Sequence, residues 1–375
     1  MKIKIAKNLL SLAINRVQGA ITERSLSQIG LKALSDNLQV AATDRSLAVY
    51  SSLAAEVVHS GTVFVPARLF SDVVKELPEG LVRLDLDGPY LVITAGVADE
   101  FTMKLPLIDE LSWLDPPALE CQVSAEVPAL KLAYMIEQVQ FCVAQDSPRN
   151  YGTVAYLHRP DKETCRLVGT DGFRLSYCEL RSPLPETFLK EGVCLSKRAL
   201  AELERMCSEG FEKVRLSLSS DGTTLLAQVP DYQVFIRLSS VKYPNYMGVI
   251  PEKRLTGVTV TRSHIQNVAR RVLLAADKSR ALQLSFSDSS LTLNSKTMGS
   301  SEGREKVPLP DYQGERFDIA VNGKFLMDVF ATTESDNLTL LFNNASSEDP
   351  IVIEPKQELA DCRSKHVLVP IRQND

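Results

Sequence analysis

The side chains that most often carry catalysis or bind metals are sparse in this chain of 375 residues. None of the four histidines lies within four residues of another, which excludes the paired-histidine zinc motif of a helix. The seven cysteines are scattered and form no C-x-x-C pair, so we expect buried thiols in a reducing compartment. The phosphate loop, the dinucleotide fingerprint and the nucleophile elbow are also missing.

Adjacent acidic residues are the remaining candidates for acid–base chemistry. Asp109-Glu110 and Glu348-Asp349 fall in segments with loop character, where solvated charge is the better interpretation. Without a recognisable catalytic set, a binding or scaffold protein is favoured over an enzyme. A duplicated enzyme with a site assembled between domains remains the alternative.

The composition is that of a globular protein, with 44% hydrophobic and 24% charged residues. The apolar stretch Leu9–Ile14 is too short for a secretion signal. No run approaches the ~18 apolar residues of a membrane span. We therefore expect a cytoplasmic protein with no membrane partner.

The elements that must position any binding residues form a repeat. Segments 62–93, 193–227 and 317–342 each predict a strand, an amphipathic helix, a turn and further strands. They alternate with a second type of segment, which also predicts a strand, a helix and strands. The six predicted helices are Lys7–Ile21, Ala67–Leu77, Pro128–Ala144, Ser196–Ser208, Thr261–Lys278 and Asn322–Thr333.

This order predicts an α+β fold of three tandem domains. Each domain contains two βαβ-type half-units, with helices on one face and antiparallel sheets on the other. Proline-bearing stretches at Asp115–Pro117 and Pro244–Pro251 mark the boundaries. The predicted domains are 1–117, 118–250 and 251–375.

The net charge of −5 argues weakly against a nucleic-acid partner, but the charge is unevenly distributed. The predicted helices together carry +6, so the remainder of the chain carries −11. If the helices share one surface, that surface attracts polyanions while the rest of the protein repels them. The alternative is that helix surfaces commonly carry lysine and arginine with no such role.

Several short segments carry the most specific pattern. Thr170-Asp171-Gly172-Phe173-Arg174-Leu175 follows a predicted strand, and Thr43-Asp44-Arg45 occupies the matching place in the first repeat. We expect a positive φ at Gly172 and hydrogen bonds from backbone N–H groups to Asp171. Alone, the six-residue string also fits an ordinary turn. The further segments are Val63–Arg68, Tyr243–Tyr246 and Val367–Arg372.

Together these segments resemble the bacterial β sliding clamps, the processivity subunits of replicative DNA polymerases. The resemblance covers essentially the whole chain and implies a non-catalytic protein without a cofactor. It implies a head-to-tail homodimer, closed into a ring of DNA-clamp domains with helices around the hole. The implied partners are double-stranded DNA held without sequence preference, the replicative DNA polymerase, the clamp loader, and repair and mismatch-repair proteins that bind through short peptides.

The resemblance also assigns residues to a groove for partner peptides. They come from the TDGxRL-like segment, the second boundary and the C-terminal segment: Thr170, Gly172, Phe173, Arg174, Leu175, Pro244, Val249, Val367, Val369, Pro370, Ile371 and Arg372. Such an apolar groove with a few polar anchors suits aliphatic and aromatic side chains. Without the resemblance, Val367–Ile371 equally predicts a buried edge strand.

Two further sets follow from the same resemblance. The predicted DNA contacts are Arg24, Arg149, Lys197, Arg198 and Arg271. The predicted dimer interface pairs Phe101 and Met103 with Leu273 and Leu274, whose alternative is the core of their own domains.

This chain departs from the family in ways that leave some points open. Phe173 stands where many relatives carry histidine, which predicts a more apolar groove wall. The loop 146–152 is about two residues short, so Asn150 and Tyr151 are assigned neither to DNA nor to peptide. A peptide-binding scaffold without DNA remains a further alternative, as does any role of the segment Gln373–Asp375.

Overall fold

The computed structural model describes residues 1–21, 28–44, 46–108, 113, 115–182, 184–251, 255–297 and 299–371. All six predicted helices are confirmed within these ranges. The first, third and fifth end earlier than predicted. The third ends at Gln140, and the first and fifth each give way to a short 3-10 turn, at Gln18–Ala20 and Leu273–Ala275. The helices are α1 Lys7–Val17, α2 Ala67–Glu76, α3 Ala129–Gln140, α4 Lys197–Cys207, α5 Arg262–Val272 and α6 Gly323–Thr332.

Many strands, such as Asn37–Thr43 and Leu47–Ala54, follow the predicted period-two alternation of burial, whereas Thr164–Thr170 and Arg174–Arg181 are buried on both faces. Those up to the first predicted boundary are β1 Lys2–Ala6, β2 Gln28–Leu34, β3 Asn37–Thr43, β4 Leu47–Ala54, β5 Glu56–His59, β6 Gly61–Pro66, β7 Leu81–Asp87, β8 Tyr90–Ala95 and β9 Phe101–Pro106. The next are β10 Cys121–Pro128, β11 Val154–His158, β12 Thr164–Thr170, β13 Arg174–Arg181, β14 Val193–Ser196, β15 Lys213–Ser219, β16 Thr224–Val229 and β17 Tyr232–Arg237. The last are β18 Thr256–Thr261, β19 Ala281–Ser287, β20 Ser290–Thr297, β21 Ser301–Pro308, β22 Phe317–Asn322, β23 Asn337–Phe342, β24 Ile351–Pro355 and β25 Cys362–Leu368.

The described chain divides into two compact units. The first contains Met1–Leu132 and Arg198–Ser239, and the second contains Ala133–Lys197 and Ser240–Asp375. The first unit holds a five-stranded sheet, ordered β5-β1-β7-β8-β9, and an eight-stranded sheet, ordered β10-β15-β16-β17-β4-β3-β2-β6. The second holds an eight-stranded sheet, ordered β14-β11-β12-β13-β25-β24-β23-β18, and a four-stranded sheet, ordered β21-β20-β19-β22.

Each eight-stranded sheet joins strands from two different repeats. In the first unit β17 pairs antiparallel with β4, so that Val234 lies opposite Val49. In the second unit β13 pairs antiparallel with β25, so that Leu175 lies opposite Val367. The strands of the middle repeat are therefore shared between the two units. The domain limits 1–117, 118–250 and 251–375 follow the sequence repeat and not the compact units. These limits remain a prediction.

The helices repeat the same packing pattern against the sheets. In α1 the buried apolar residues are Leu10, Ala13, Ile14 and Val17. In α5 they are Ile265, Val268, Ala269 and Val272, which reproduces the i, i+3, i+4, i+7 spacing of an amphipathic helix. Burying each larger aliphatic side chain contributes about 1.5–3 kcal/mol. The sequence repeat thus corresponds to a repeated core.

One helix cation that enters the charge count lies in the core. Arg16 of α1 is only 3% exposed and donates to Glu209 at 2.7 Å and to Asp231 at 3.1 Å. Its guanidinium carbon also lies 5.0 Å from the centroid of the Tyr232 ring. Counting Arg16 as surface charge was therefore wrong, because two carboxylates neutralise it, Glu209 after α4 and Asp231 between β16 and β17.

Six cysteines are buried thiols, as predicted: Cys142, Cys165, Cys178, Cys194, Cys207 and Cys362. Among the described residues no helix is long and apolar enough to cross a membrane.

Two histidines of the second unit are held in the neutral form; His366 is buried and His158 is half-buried. His366 is 1% exposed, and its Nδ1 lies 2.9 Å from the Ser176 hydroxyl, which itself donates to the Gln138 carbonyl. The only hydroxyl hydrogen of Ser176 is used in the bond to Gln138, so Nδ1 of His366 must donate the hydrogen between the two residues. Nε2 of His366 is then an unprotonated, buried acceptor without a hydrogen-bond partner. Burial lowers the pKa of His366 to about 3. Burial, and then the charge of Arg166, lower the pKa of His158 to about 4.

These pKa values predict that acid destabilises the protein before its carboxylates titrate. Unfolded histidine has a pKa of about 6.5. The histidines' contribution to stability is therefore complete above pH 6.5 and is lost as the pH falls towards 4. Between pH 6.5 and 5 we expect the free energy of unfolding to fall by up to about 1.4 kcal/mol per pH unit for each histidine. Urea unfolding at several pH values measures the slope. His366→Leu should reduce this slope by about one proton, and an unchanged slope in His366→Leu would refute this account.

Candidate functional site

The turn between β12 and β13 has the predicted geometry. Gly172 has φ +89°, a conformation that favours glycine. The Asp171 carboxylate accepts hydrogen bonds from the backbone N–H groups of Phe173 at 2.9 Å and Arg174 at 3.1 Å. Thr170 completes the turn, because its hydroxyl donates to the Arg174 carbonyl and accepts from Gly172 N–H. The turn is thereby fixed by its own short side chains.

The matching turn of the first repeat has the same design. Asp44 accepts from the backbone N–H groups of Ser46 at 2.7 Å and Leu47 at 2.8 Å, and its second oxygen pairs with Arg198 at 2.5 Å. Burial acts to raise the pKa of Asp44, but the hydrogen bonds from Arg198 and from these backbone groups outweigh it and lower the pKa. Arg45 lies outside the described residues.

A cavity of about 150 Å³ opens beside the Thr170 turn. It is bounded by residues from four separate stretches of the second unit, two of which the β13–β25 pairing brings together. Eight of its residues belong to the predicted groove: Thr170, Gly172, Arg174, Leu175, Pro244, Val249, Val367 and Val369. Leu175 and Val367 are fully buried at its base, whereas Val249 is 43% exposed and Val369 36% exposed at its mouth. The geometry suits an aliphatic or aromatic side chain.

Tyr246 lies beneath this cavity in a continuous hydrogen-bond chain. Its hydroxyl accepts from Arg166 at 2.8 Å and lies 2.8 Å from Nε2 of His158. Because Arg166 occupies the acceptor side, the Tyr246 hydrogen is left for His158. Arg166 is paired in turn with Glu179, and its guanidinium carbon lies 4.6 Å from the centroid of the Tyr177 ring. The base of the cavity is therefore rigid and its buried polar atoms are satisfied.

Arg174 ties the cavity wall to α6. Its guanidinium pairs with Asp171 at 3.0 Å and Asp328 at 2.5 Å, and donates to the Phe141 carbonyl at 2.7 Å. The guanidinium carbon also lies 4.3 Å from the centroid of the Phe325 ring. With two carboxylates and a carbonyl already bound, Arg174 acts on an occupant through position and shape more than through net charge.

The rim of the cavity differs from the sequence prediction. The Phe173 ring is 59% exposed and does not line the cavity; the Arg149 guanidinium carbon lies 5.3 Å from its centroid. Phe173 contributes through its backbone instead, because its carbonyl accepts from Val369 N–H at 3.0 Å. Pro370 is half-buried beyond Val369, and Ile371 N–H donates to the Ala320 carbonyl at 2.8 Å. Arg372 lies outside the described residues.

Three cavity residues escaped the sequence prediction: Tyr151, Asn245 and Tyr246. Two of them stand in the Tyr243–Tyr246 segment, where the signal was Tyr246 itself, a large apolar ring with a hydroxyl that can bond when buried. Tyr151 could not be assigned from the shortened loop. The alternative of an edge strand at 367–371 was wrong, because β25 is central in its sheet, between β13 and β24.

Most predicted DNA-contact residues already have protein partners. Lys197 donates to the Val143 carbonyl at 2.8 Å. Arg198 pairs with Asp44 and donates to the Gly19 carbonyl, and Arg271 pairs with Glu305 at 2.5 Å. Both arginines remain about half exposed, at 43% and 57% of their side-chain areas. Arg24 lies outside the described residues.

The positive helix charge is correspondingly smaller than the sequence count. Besides Arg16, helix residues Lys7, Arg198, Arg205 and Arg271 each face a carboxylate. Within the described ranges, the exposed helix cations with no ion pair are Arg68, Lys75, Arg270 and Lys324. Exposed pairs are weak and exchangeable, so the paired arginines can still turn to a stronger anion.

The residues predicted for a dimer interface lie on two sheet edges. Phe101 and Met103 are half-buried on β9, an edge strand, and β21 is an edge strand of the four-stranded sheet. Next to β21, Leu274 is 85% exposed, whereas Leu273 is 9% exposed and packs against Gly323 in the core. Leu274 can therefore contribute to an interface, and Leu273 mainly supports it from within.

The chain is similar along its whole length to one protein family. The family described as DNA polymerase III beta subunit matches through its N-terminal domain over 1–113, its central domain over 126–245 and its C-terminal domain over 247–372. The beta sliding clamp of Caulobacter vibrioides is 27% identical over 384 residues, spanning 99% of this chain and 100% of that protein. That of Escherichia coli is 25% identical over 382 residues with the same coverage.

Solved structures agree with this assignment. The DNA polymerase III beta subunit of Thermotoga maritima has a TM-score of 0.89 at 25% identity, with 100% of both chains covered. The pol III beta structure from Caulobacter crescentus has a TM-score of 0.87 at 26% identity, again over 100% of both chains. Three clamp domains matched in order, an α+β fold of antiparallel sheets and these structural likenesses lead to one conclusion: the chain belongs to the DNA polymerase III β subunit family, the bacterial β sliding clamps.

Proposed function

We propose that two copies of this chain close into a ring around duplex DNA and tether the replicative polymerase to it. The observation that carries the proposal is the apolar cavity beside the Thr170 turn, in a chain that matches the β clamp family from end to end. A non-catalytic processivity clamp needs a tether for its partners and a weak, sequence-independent hold on DNA. The sequence contains no recognisable catalytic set that would favour an enzyme over a clamp.

The tether is the cavity together with its mouth. Buried Leu175 and Val367 form an apolar base, and half-exposed Val249 and Val369 lose surface to water when an occupant covers them. The occupant that fits is a short peptide with an aliphatic or aromatic anchor, as at the tail of a polymerase. Because the His158–Tyr246–Arg166 chain holds the base rigid, little ordering cost opposes binding.

A single charge at the cavity mouth tests this tether. We expect Val249→Asp to weaken binding of the polymerase's C-terminal peptide by at least about 100-fold, because a carboxylate is then buried against apolar surface. Fluorescence anisotropy with a labelled peptide measures the effect. Val58→Asp is the matched control, since Val58 is 47% exposed on edge strand β5. Unchanged peptide affinity in a folded Val249→Asp protein would exclude this cavity as the peptide site.

The hold on DNA is proposed to come from helix-borne cations on an acidic protein. Lys197 and Arg198 begin α4, and with Arg24, Arg149 and Arg271 they are the proposed phosphate contacts. The present partners of Lys197, Arg198 and Arg271 are carbonyls and single carboxylates, which are exchangeable for phosphate. Contacts of this kind position the duplex without reading its bases, and they leave the ring able to slide.

Removing the two α4 cations should shorten the life of the protein on DNA. For Lys197→Ala combined with Arg198→Ala, we expect faster loss from a nicked circle and a salt dependence shallower by up to about 2 in the log–log slope. The matched control is Lys213→Ala combined with Arg215→Ala, which removes two exposed cations from strand β15. Equal slopes for wild type and the α4 variant would show that these residues do not contact phosphate.

The ring is proposed to close head to tail, through β9 of one subunit and β21 of the other. Edge-strand pairing, with Phe101 and Met103 against the exposed Leu274, supplies backbone hydrogen bonds and a small apolar seal. The clamp loader and repair proteins are proposed to use the same peptide cavity, in the cytoplasm. The limits 1–117, 118–250 and 251–375 remain the proposed domain limits.

A further inference from the structure

A second cavity of about 340 Å³ lies in the second unit, well separated in sequence from the peptide cavity. It is enclosed by β18, the start of α5 and the segment that follows β21. Val258, Val260 and Ile265 form its apolar base, and Thr259 and His264 are exposed at its mouth. Nothing in the proposed tether or the DNA contacts uses this cavity.

The first unit carries an exposed apolar side chain whose chemistry suits such a cavity. Val97, at the tip of the β8–β9 hairpin, is fully exposed, with 102% relative accessibility. The tip is held in one conformation, because Gly96 and Asp99 have φ values of +99° and +58° and Asp99 pairs with Arg83. A single exposed apolar residue is common on protein surfaces, so the case for Val97 depends on its place at the start of the proposed interface strand β9.

The proposed dimer determines where this tip falls. The start of β21 adjoins the Leu274 turn, because Ser301 donates to the Ala275 carbonyl at 3.2 Å. The proposed seal places Phe101 and Met103 near Leu274 of the partner, and therefore beside this start of β21. If the strands pair antiparallel, the residues that precede Met103 lie opposite the residues that follow Ser301. Val97 then lies near Val307 of the partner, where the cavity begins.

Charge favours the antiparallel orientation. With Phe101 opposite Gly303 of the partner, antiparallel pairing sets exposed Glu100 against exposed Arg304. Parallel pairing at the same point would set Glu100 against Glu302. Opposite charges directly across a strand pair stabilise it, and like charges destabilise it. The antiparallel register also sets Asp99 opposite Glu305, but each of these carboxylates already has its own cation, Arg83 and Arg271. Arg304 has no ion pair within the described residues, so it is available to a carboxylate of the partner.

From this geometry we infer that Val97 of each subunit inserts into the β18–α5 cavity of the other subunit. The inference rests on the proposed head-to-tail dimer and adds a second apolar contact to each interface, at the far end of the strand pair from Leu274. Two anchors at opposite ends of β21 fix the register of the strand pair, which backbone hydrogen bonds alone leave free to slip.

Paired cysteines test the contact directly. We expect Val97→Cys combined with Thr259→Cys to form a covalent dimer on mild oxidation, resolved by non-reducing electrophoresis, while neither single variant does. Val97→Cys combined with Ser301→Cys is the control for the parallel orientation, because it brings the tip to the start of β21 instead. Cross-linking of that control pair and not of the Thr259 pair would overturn the inference.

A charged substitution at the hairpin tip tests the Val97 contact separately from the proposed dimer. Val97→Asp should raise the dimer dissociation constant at least about tenfold, measured by sedimentation equilibrium, because burial of the valine is lost. Val58→Asp again serves as the exposed control. A Val97→Asp protein that dimerises as wild type does would overturn the inference and leave the clamp intact. A wild-type protein that is monomeric at all concentrations would instead overturn the proposed ring.

Discussion

The antiparallel pairing of β13 with β25 is the interaction on which the functional part of the structure depends. It places residues about 190 positions apart in sequence in direct register, with Leu175 opposite Val367 and Arg174 opposite Leu368. The Thr170 turn and the C-terminal segment meet only because this ladder exists. The peptide cavity is therefore a product of sheet pairing between repeats, and its walls belong to two different repeats.

Polar side chains make this junction specific. Arg174 joins β13 to α6 through Asp328, and Arg166 joins β12 to the cavity base through Tyr246. Removing Asp328 would leave the mostly buried guanidinium of Arg174 with one carboxylate partner fewer, which is destabilising. A slipped pairing of β13 and β25 would carry Arg174 away from Asp328 of α6 and would separate Ser176 from His366, which lie opposite each other. The network therefore enforces one register, and with it one shape of the cavity.

Much of this was predictable from the sequence, since the evidence was local. The six helices follow from the i, i+3, i+4, i+7 spacing, and the Thr170 turn follows from Asp171 and Gly172. Charge partnership was not predictable, because it depends on distant residues: Arg16 meets Glu209 across 193 positions. For the same reason the net charge of the helices overstated the positive field. The outward position of the Phe173 ring also depends on a distant partner, Arg149.

The chain is a member of a family of non-catalytic processivity clamps. The hold on DNA that we propose for it is topological, because the protein stays on DNA by surrounding it. The most direct measurement follows the labelled protein after the clamp loader places it on a nicked circular duplex. We predict that it remains on the circle and is lost within minutes when a restriction enzyme makes the same DNA linear, unless bound proteins block both ends. Equal retention on circular and open linear DNA would contradict the account, because only direct adhesion survives the opening of the circle.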